Sequence, residues 1–238
     1  MNLLILVIYS KSEIYDQMLE LQRLYLHTFK NVHSYFIDFR ENQTNLVEIE
    51  KDMIYVKGKN SYLNITYKTI ESLSYMLQLP FNYIIRTNIS TIINIPELYN
   101  YCLQLPKTNI YRGGNLLHLK HIDVPCGIID NSLWGTNYIQ GTSIIMSNDI
   151  AKLMILHKSK IRYDVIDDVA IGVFIKNYTN IVPVKTASFF QTRSILSSVP
   201  TNYIFYRNNL GNRNQDIINM KKIIYKLHPP NFKKLSFV

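Results

Sequence analysis

Asp164-Val165-Ile166-Asp167-Asp168-Val169 places three carboxylates in five positions and flanks them with apolar residues. A solvated charge run does not have that setting. Two adjacent aspartates at a helix start favour its dipole, and one of them could equally deprotonate a bound hydroxyl as a general base. The residues leave both accounts open. A second group, Arg86-Thr87-Asn88-Ile89-Ser90, leaves an apolar run and offers hydrogen-bond donors without a carboxylate. Such a loop either caps its own turns or holds an anion such as a diphosphate. A third is Tyr206-Arg207, followed by an Asn/Gly-rich turn and then Arg213 and Asp216. Arginines on a strand end and a following loop suit a phosphate clamp, and suit an ordinary exposed surface equally well. His228 stands alone before Pro229, where a histidine is more often structural than a ligand. Neither standard glycine-rich phosphate loop occurs, nor an ordered Ser/His/Asp or Cys/His set.

These groups need elements to carry them. Leu3–Tyr9 is a continuous apolar run, the mark of a strand buried on both faces. Ser10 and Glu13 have capping-box spacing, and Ile14, Met18, Leu21 and Tyr25 follow on one helical face. Strands are expected at Ser34–Phe39, Met53–Val56 and Phe81–Arg86, with a helix over Ile65–Leu77 and a polar loop over Thr87–Thr91. Pro96 and Glu97 mark another helix start. Residues 109–140 read as strand and loop. Ile144–Ser147 leads into a helix near Asn148, and Asp167–Ile175 reads as helical. Ile181–Lys185 and Tyr203–Arg207 read as strands. Ile217, Met220, Ile224 and Leu227 mark a last helix, stopped by Pro229 and Pro230. The pattern predicts an α/β domain with a mostly parallel central sheet flanked by helices and a mixed second half. One domain, 1–238, is expected, with a nucleotide-binding half of about 1–105 and an acceptor-side half of about 106–238.

The net charge of +9 suits an anionic ligand. Its Lys and Arg residues are scattered, which argues against a nucleic-acid arm. The two cysteines, Cys102 and Cys126, have neither metal spacing nor a disulfide framework. Leu3–Tyr9 is too short to span a membrane, so a cytoplasmic protein from a reducing compartment is expected. The Ile, Asn, Lys and Tyr bias points to an AT-rich microbial or large-virus genome.

Four segments together resemble the GT-A glycosyltransferases, within them the β1,3-galactosyltransferase-like group. Asn60-Ser61-Tyr62-Leu63-Asn64-Ile65-Thr66-Tyr67-Lys68-Thr69 is similar to that family's D-x-Y-x-N-L-T-x-K-T. Arg86-Thr87-Asn88-Ile89-Ser90 stands where the family has K-T-D-D-D. Tyr138–Asp149 resembles Y-x-x-G-x-x-Y-x-x-S-x-D, and Asp167-Asp168-Val169-Ala170-Ile171-Gly172 resembles E-D-V-x-x-G. The matches are collinear over about residues 1 to 175. The resemblance implies transfer of a sugar from a nucleotide sugar, a UDP-sugar being favoured, to a glycan hydroxyl. It implies a nucleotide pocket from Tyr9, Ser10, Tyr62, Lys68 and the loop bearing Arg86, Asn88 and Ser90, with Arg207 and Arg213 as further phosphate ligands. The acceptor would approach from the Trp134–Gly141 side. Asp168 would be the base of an inverting displacement, supported by Asp167. One departure is chemical. Asn88 and Ser90 stand where aspartates bind Mn²⁺ or Mg²⁺, so the hard anionic ligands for that metal are missing. Three outcomes follow: transfer without a metal, the basic residues neutralising the diphosphate, which the net charge and arginines favour; weak Mn²⁺ or Mg²⁺ binding through other groups; or a scaffold without activity. The alternatives are a non-catalytic nucleotide-sugar or glycan-binding relative and a nucleic-acid-binding module.

Overall fold

The structure is a computed structural model describing residues 1–186 and 188–229. Strand β1 (Leu3–Ile8) runs through the middle of the main sheet and is buried along its length. Its side chains alternate between two cores, as a pleated strand requires. Leu4, Leu6 and Ile8 enter one, and Leu3, Ile5 and Val7 the other. Helices therefore cover both faces. On the face shared by Leu4 lie α2 (Ile65–Met76), α4 (Asn148–Leu156) and α5 (Asp167–Tyr178). On the opposite face lie α1 (Glu13–Leu26), α3 (Ile95–Leu103) and α6 (Arg213–Leu227).

From β1 the chain crosses to β2 (Val32–Arg40) and then β4 (Met53–Lys57), all parallel. A short strand, β3 (Val47–Glu50), closes that edge antiparallel to β4. Then β5 (Tyr83–Asn88) pairs with the other side of β1. Beyond it come β10 (Ile144–Ser147), β7 (Tyr111–Gly113) and β11 (Val184–Lys185). Four of the seven neighbouring pairs are parallel. Strands from both sides of residue 105 share this sheet. The direction of winding reverses at β1, and the carboxyl ends of β1 and β5 therefore open into a crevice, the usual ligand position in such a sheet. A second sheet sets β12 (Phe189–Thr192) and β6 (Thr91–Ile93) on either side of β13 (Phe205–Asn208). A two-stranded ribbon joins β8 (Leu116–His118) to β9 (Asn137–Ile139).

Three details depart from the sequence reading. The cap of α1 is Ser12, whose hydroxyl accepts from the Tyr15 amide at 3.3 Å, and not Ser10; Ser10 is held instead by Asn60 and Lys68. The polar loop expected over Thr87–Thr91 shrinks to Ile89 and Ser90. Thr87 and Asn88 continue β5 against Val7 and Ile8, while Thr91 pairs with Arg207. The strands β3, β6 and β12 were not expected. Val-Glu-Ile-Glu has a solvated face typical of an edge strand, and β12 depends on its partner β13. Pro230 lies outside the described residues.

Candidate active site

The crevice holds a cavity of about 400 Å³. The end of β1 brings Tyr9 and Ser10 to it, the end of β5 brings Asn88 and Ser90, the turn before α2 brings Tyr62, and β13 and α6 bring Arg207 and Arg213. Seven of the nine residues expected at the nucleotide thus line one space, although they come from both ends of the chain. The remaining two, Lys68 and Arg86, sit behind that lining.

Lys68 is buried on α2 and donates from Nζ to the Tyr9 carbonyl at 2.6 Å and to the Ser10 hydroxyl at 3.3 Å. Burial pulls its ammonium down to about 8, against the pull of Asp38 and Asp167. It fastens the turn that leaves β1. Tyr9 is buried, and its phenol donates to the Asp16 carboxylate; burial and that bond both raise its pKa.

Arg86 is buried inside β5 and engaged on every side. Its Nε and Nη2 each donate to Asp167 at 2.7 Å. Nη1 donates to the Asn88 side-chain oxygen at 2.7 Å and also to the Gly141 carbonyl. Thr69 adds a third donor to Asp167, at 2.9 Å. Asp167 is the first residue of α5 and fully buried. Successive helical residues point about 100° apart, so its neighbour Asp168 faces elsewhere and keeps part of its surface accessible. The Gly141 amide donates to Asp168 Oδ2 at 2.9 Å, and the Val169 amide to Oδ1 at 2.8 Å. Burial pushes the Asp168 carboxyl up to about 6, and the charge of Asp167 adds to it; Arg86 and the two amides offset this only in part. Gly141 thus links the two aspartates, its carbonyl on Arg86 and its amide on Asp168. A side chain there would collide with the Arg86 guanidinium.

Tyr62 borders the cavity and feels the charge of Asp168, and so connects the two regions. Asp168 also bears on Tyr138 and Cys126, which mark the side from which Gly141 approaches. Trp134 is outside the cavity lining, on the loop between β8 and β9, with 44% of its surface exposed and its carbonyl facing Lys176 Nζ at 3.5 Å. His228 is buried, stacked on Tyr25 at 4.5 Å between ring centres, and takes no part.

The sequence reading overlooked Tyr15 and Asp38. Tyr15 lines the cavity opposite Arg213. Asp38 is buried and accepts from the Lys11 amide, the Phe39 amide and Asn60 Nδ2, so it holds Asn60 at the cavity wall. Its signal was a lone carboxylate at the carboxyl end of the apolar run Tyr35-Phe36-Ile37.

A family model described as Galactosyltransferase matches residues 40–186, more than half of the chain. The chain belongs to the galactosyltransferase family. Comparison with curated proteins gives no match. Membership accords with the architecture, a GT-A-like α/β domain, and supports glycosyl transfer as the general activity. The family match takes in β5, Gly141, Asp167 and Asp168, and leaves Tyr9, Ser10, Arg207 and Arg213 outside it. In this galactosyltransferase-family chain, the cavity is thus completed by residues that the family pattern does not cover. No described helix is long and apolar enough to cross a membrane.

Proposed function

We propose that this chain transfers a sugar from a nucleotide diphosphate sugar, a UDP-sugar in the first instance, to a hydroxyl of a glycan acceptor, with inversion at the anomeric carbon. The observation that supports this reading best is the position of Asp168. Its carboxylate is held by two amides and lies within electrostatic reach of Tyr62 on the rim of the cavity, and the residue as a whole is only partly buried. The donor's nucleotide lies in that cavity, with the sugar directed towards Asp168. The acceptor arrives from the Tyr138–Gly141 side, and Trp134 offers an aromatic face farther along that loop.

Asp168 takes the proton of the acceptor hydroxyl as the oxygen forms its bond to the anomeric carbon. The bond from that carbon to the β-phosphate oxygen breaks, and the nucleoside diphosphate leaves with the electron pair. A base with a pKa near 6 is largely ionised at neutral pH and still basic enough to assist. Arg86 and Asp167 act at one remove: by holding the Gly141 peptide, they aim the amide that orients Asp168.

The test is donor hydrolysis and transfer measured with UDP-, GDP-, CMP- and dTDP-sugars, for the natural protein and for Asp168→Asn. One donor class should turn over. Asp168→Asn should lower kcat by about a thousandfold, in the range of general-base removal, while nucleotide binding stays unchanged. Nucleotide binding without turnover of any donor would leave a binding relative in place of an enzyme.

A further inference from the structure

The family resemblance implies a divalent cation bridging the donor's diphosphate. The residues at that place do not fit one. Asn88 and Ser90 are neutral, and both are already engaged: the Asn88 oxygen accepts from Arg86, and the Ser90 hydroxyl from Arg207. Among the described residues, no group of three or more His, Cys, Asp and Glu side chains could hold a metal ion. Hard cations such as Mn²⁺ and Mg²⁺ take oxygen ligands, with carboxylates prominent among them.

The same wall carries positive charge that the protein does not neutralise. Arg207 and Arg213 both line the cavity. Among the described residues the carboxylate beside them is buried Asp216, which bonds Arg213 at 2.8 Å and the Leu210 amide at 3.0 Å. Among the described residues, Arg207 has no carboxylate within ion-pair distance, and its side chain donates to the Ser90 hydroxyl. Burial, and next the charge of Arg213, pull the Arg207 guanidinium down to about 10. Arg213 is also the first residue of α6, where the positive end of the helix dipole disfavours a cation. Asp216 and Tyr15 favour the charged form of Arg213, so the unbalanced charge at this wall is that of Arg207. It becomes favourable when an anion enters.

We propose that Arg207 and Arg213, with the Ser90 hydroxyl, form a diphosphate site that takes the place of the divalent cation. This rests on the nucleotide-sugar reading for its biological ligand, though the site is defined by its affinity for a diphosphate. Two guanidiniums offer forked donors that match phosphate oxygens. They neutralise the charge that grows on the departing nucleoside diphosphate.

The experiment measures binding of inorganic pyrophosphate and of UDP to the full chain by calorimetry and thermal shift, in EDTA and in Mn²⁺. Both probes should bind in EDTA, and Mn²⁺ should change their affinity by less than about twofold. Arg207→Gln should weaken pyrophosphate about tenfold or more, as expected for loss of a charged hydrogen-bond donor, and Arg207→Lys should weaken it less. Affinity of the natural protein should fall as salt rises; that measurement stands even if a variant fails to fold. Binding that requires Mn²⁺, no binding in either condition, a salt-independent affinity, or an Arg207→Gln protein that binds as well as the natural one would each overturn the proposal. Pyrophosphate bound in EDTA with no donor turned over would keep this site and remove the enzyme reading. Turnover that depends on Mn²⁺ would do the reverse.

Discussion

Two arginines at the same crevice have opposite circumstances. Arg86 is a closed system: Asp167 takes two of its donors, Asn88 and Gly141 share a third, and Thr69 completes the carboxylate's shell. Arg207 is open, with a neutral hydroxyl for a partner and a second guanidinium nearby. A buried charge with a full set of partners serves the architecture, and removing one partner strands the other. A charge left unbalanced at a cavity wall weakens the empty protein and strengthens the complex. Residue type does not separate these roles, since both are arginines on strands that border the crevice.

The comparison can be broken by substitution. Arg86→Met leaves Asp167 buried and unpaired, and should lower unfolding stability by about 3–5 kcal/mol, measured by chemical denaturation. Replacing both partners, Arg86→Met with Asp167→Leu, should recover much of that loss. If the single variant is as stable as the natural protein, Arg86 is not the closed partner described here. Gly141→Ala comes next: its methyl meets the Arg86 guanidinium, and overpacking of this kind costs about 1–3 kcal/mol. It should also displace the amide on Asp168 and move the acidic limb of the rate–pH profile, whereas a purely local packing defect would leave that limb in place.

Asp168→Asn tests the carboxylate that Arg86 helps to position through Gly141. The carboxyl's folded value, about 6, lies above its ordinary 3.8. Between these values the folded chain keeps a proton that the unfolded chain has lost. Stability from this group is therefore complete below about pH 4 and declines as pH rises through 6. At pH 7 the asparagine variant, which cannot ionise, should be more stable than the natural protein by up to about 3 kcal/mol, and the difference should close near pH 4. The natural enzyme's kcat/KM should rise with pH through about 6 and then level. A variant less stable at pH 7 would assign Asp168 to the structure alone. The smallest effect on stability belongs to Arg207→Gln, within about 0.5 kcal/mol in the absence of ligand. A loss as large as that of Arg86→Met would erase the contrast.

Much of the fold was legible because its signals are local. Leu3–Tyr9 reads as a buried strand from its own residues, and the spacing of Met18, Leu21 and Tyr25 gives the inner face of α1. The strands that escaped notice, β3, β6 and β12, owe their form to neighbours, β4 and β13, more than to their own pattern. The cavity lining was legible in part. Asn88 and Ser90 follow an apolar run, Arg207 lies near a strand end with Arg213 beyond the turn, and the family resemblance implied Tyr9 and Ser10. Asp38 and Tyr15 were not legible, because what brings them to the wall is the pairing of β2 with β1 and the packing of α1 against α6.

By itself the sequence determined which side chains stand at the ends of which strands, and that neutral residues replace carboxylates at Asn88 and Ser90. It also determined the paired aspartates at the start of α5. Only the tertiary structure decided which charges meet. Asp167 lies 81 positions from Arg86 and reaches it because α5 packs across the sheet. Asp216 sits three positions from Arg213 and serves that arginine, leaving Arg207 without a carboxylate. Local pattern reports burial, which depends on each residue's own polarity. Charge compensation depends on distance in space, and distance is set by the fold.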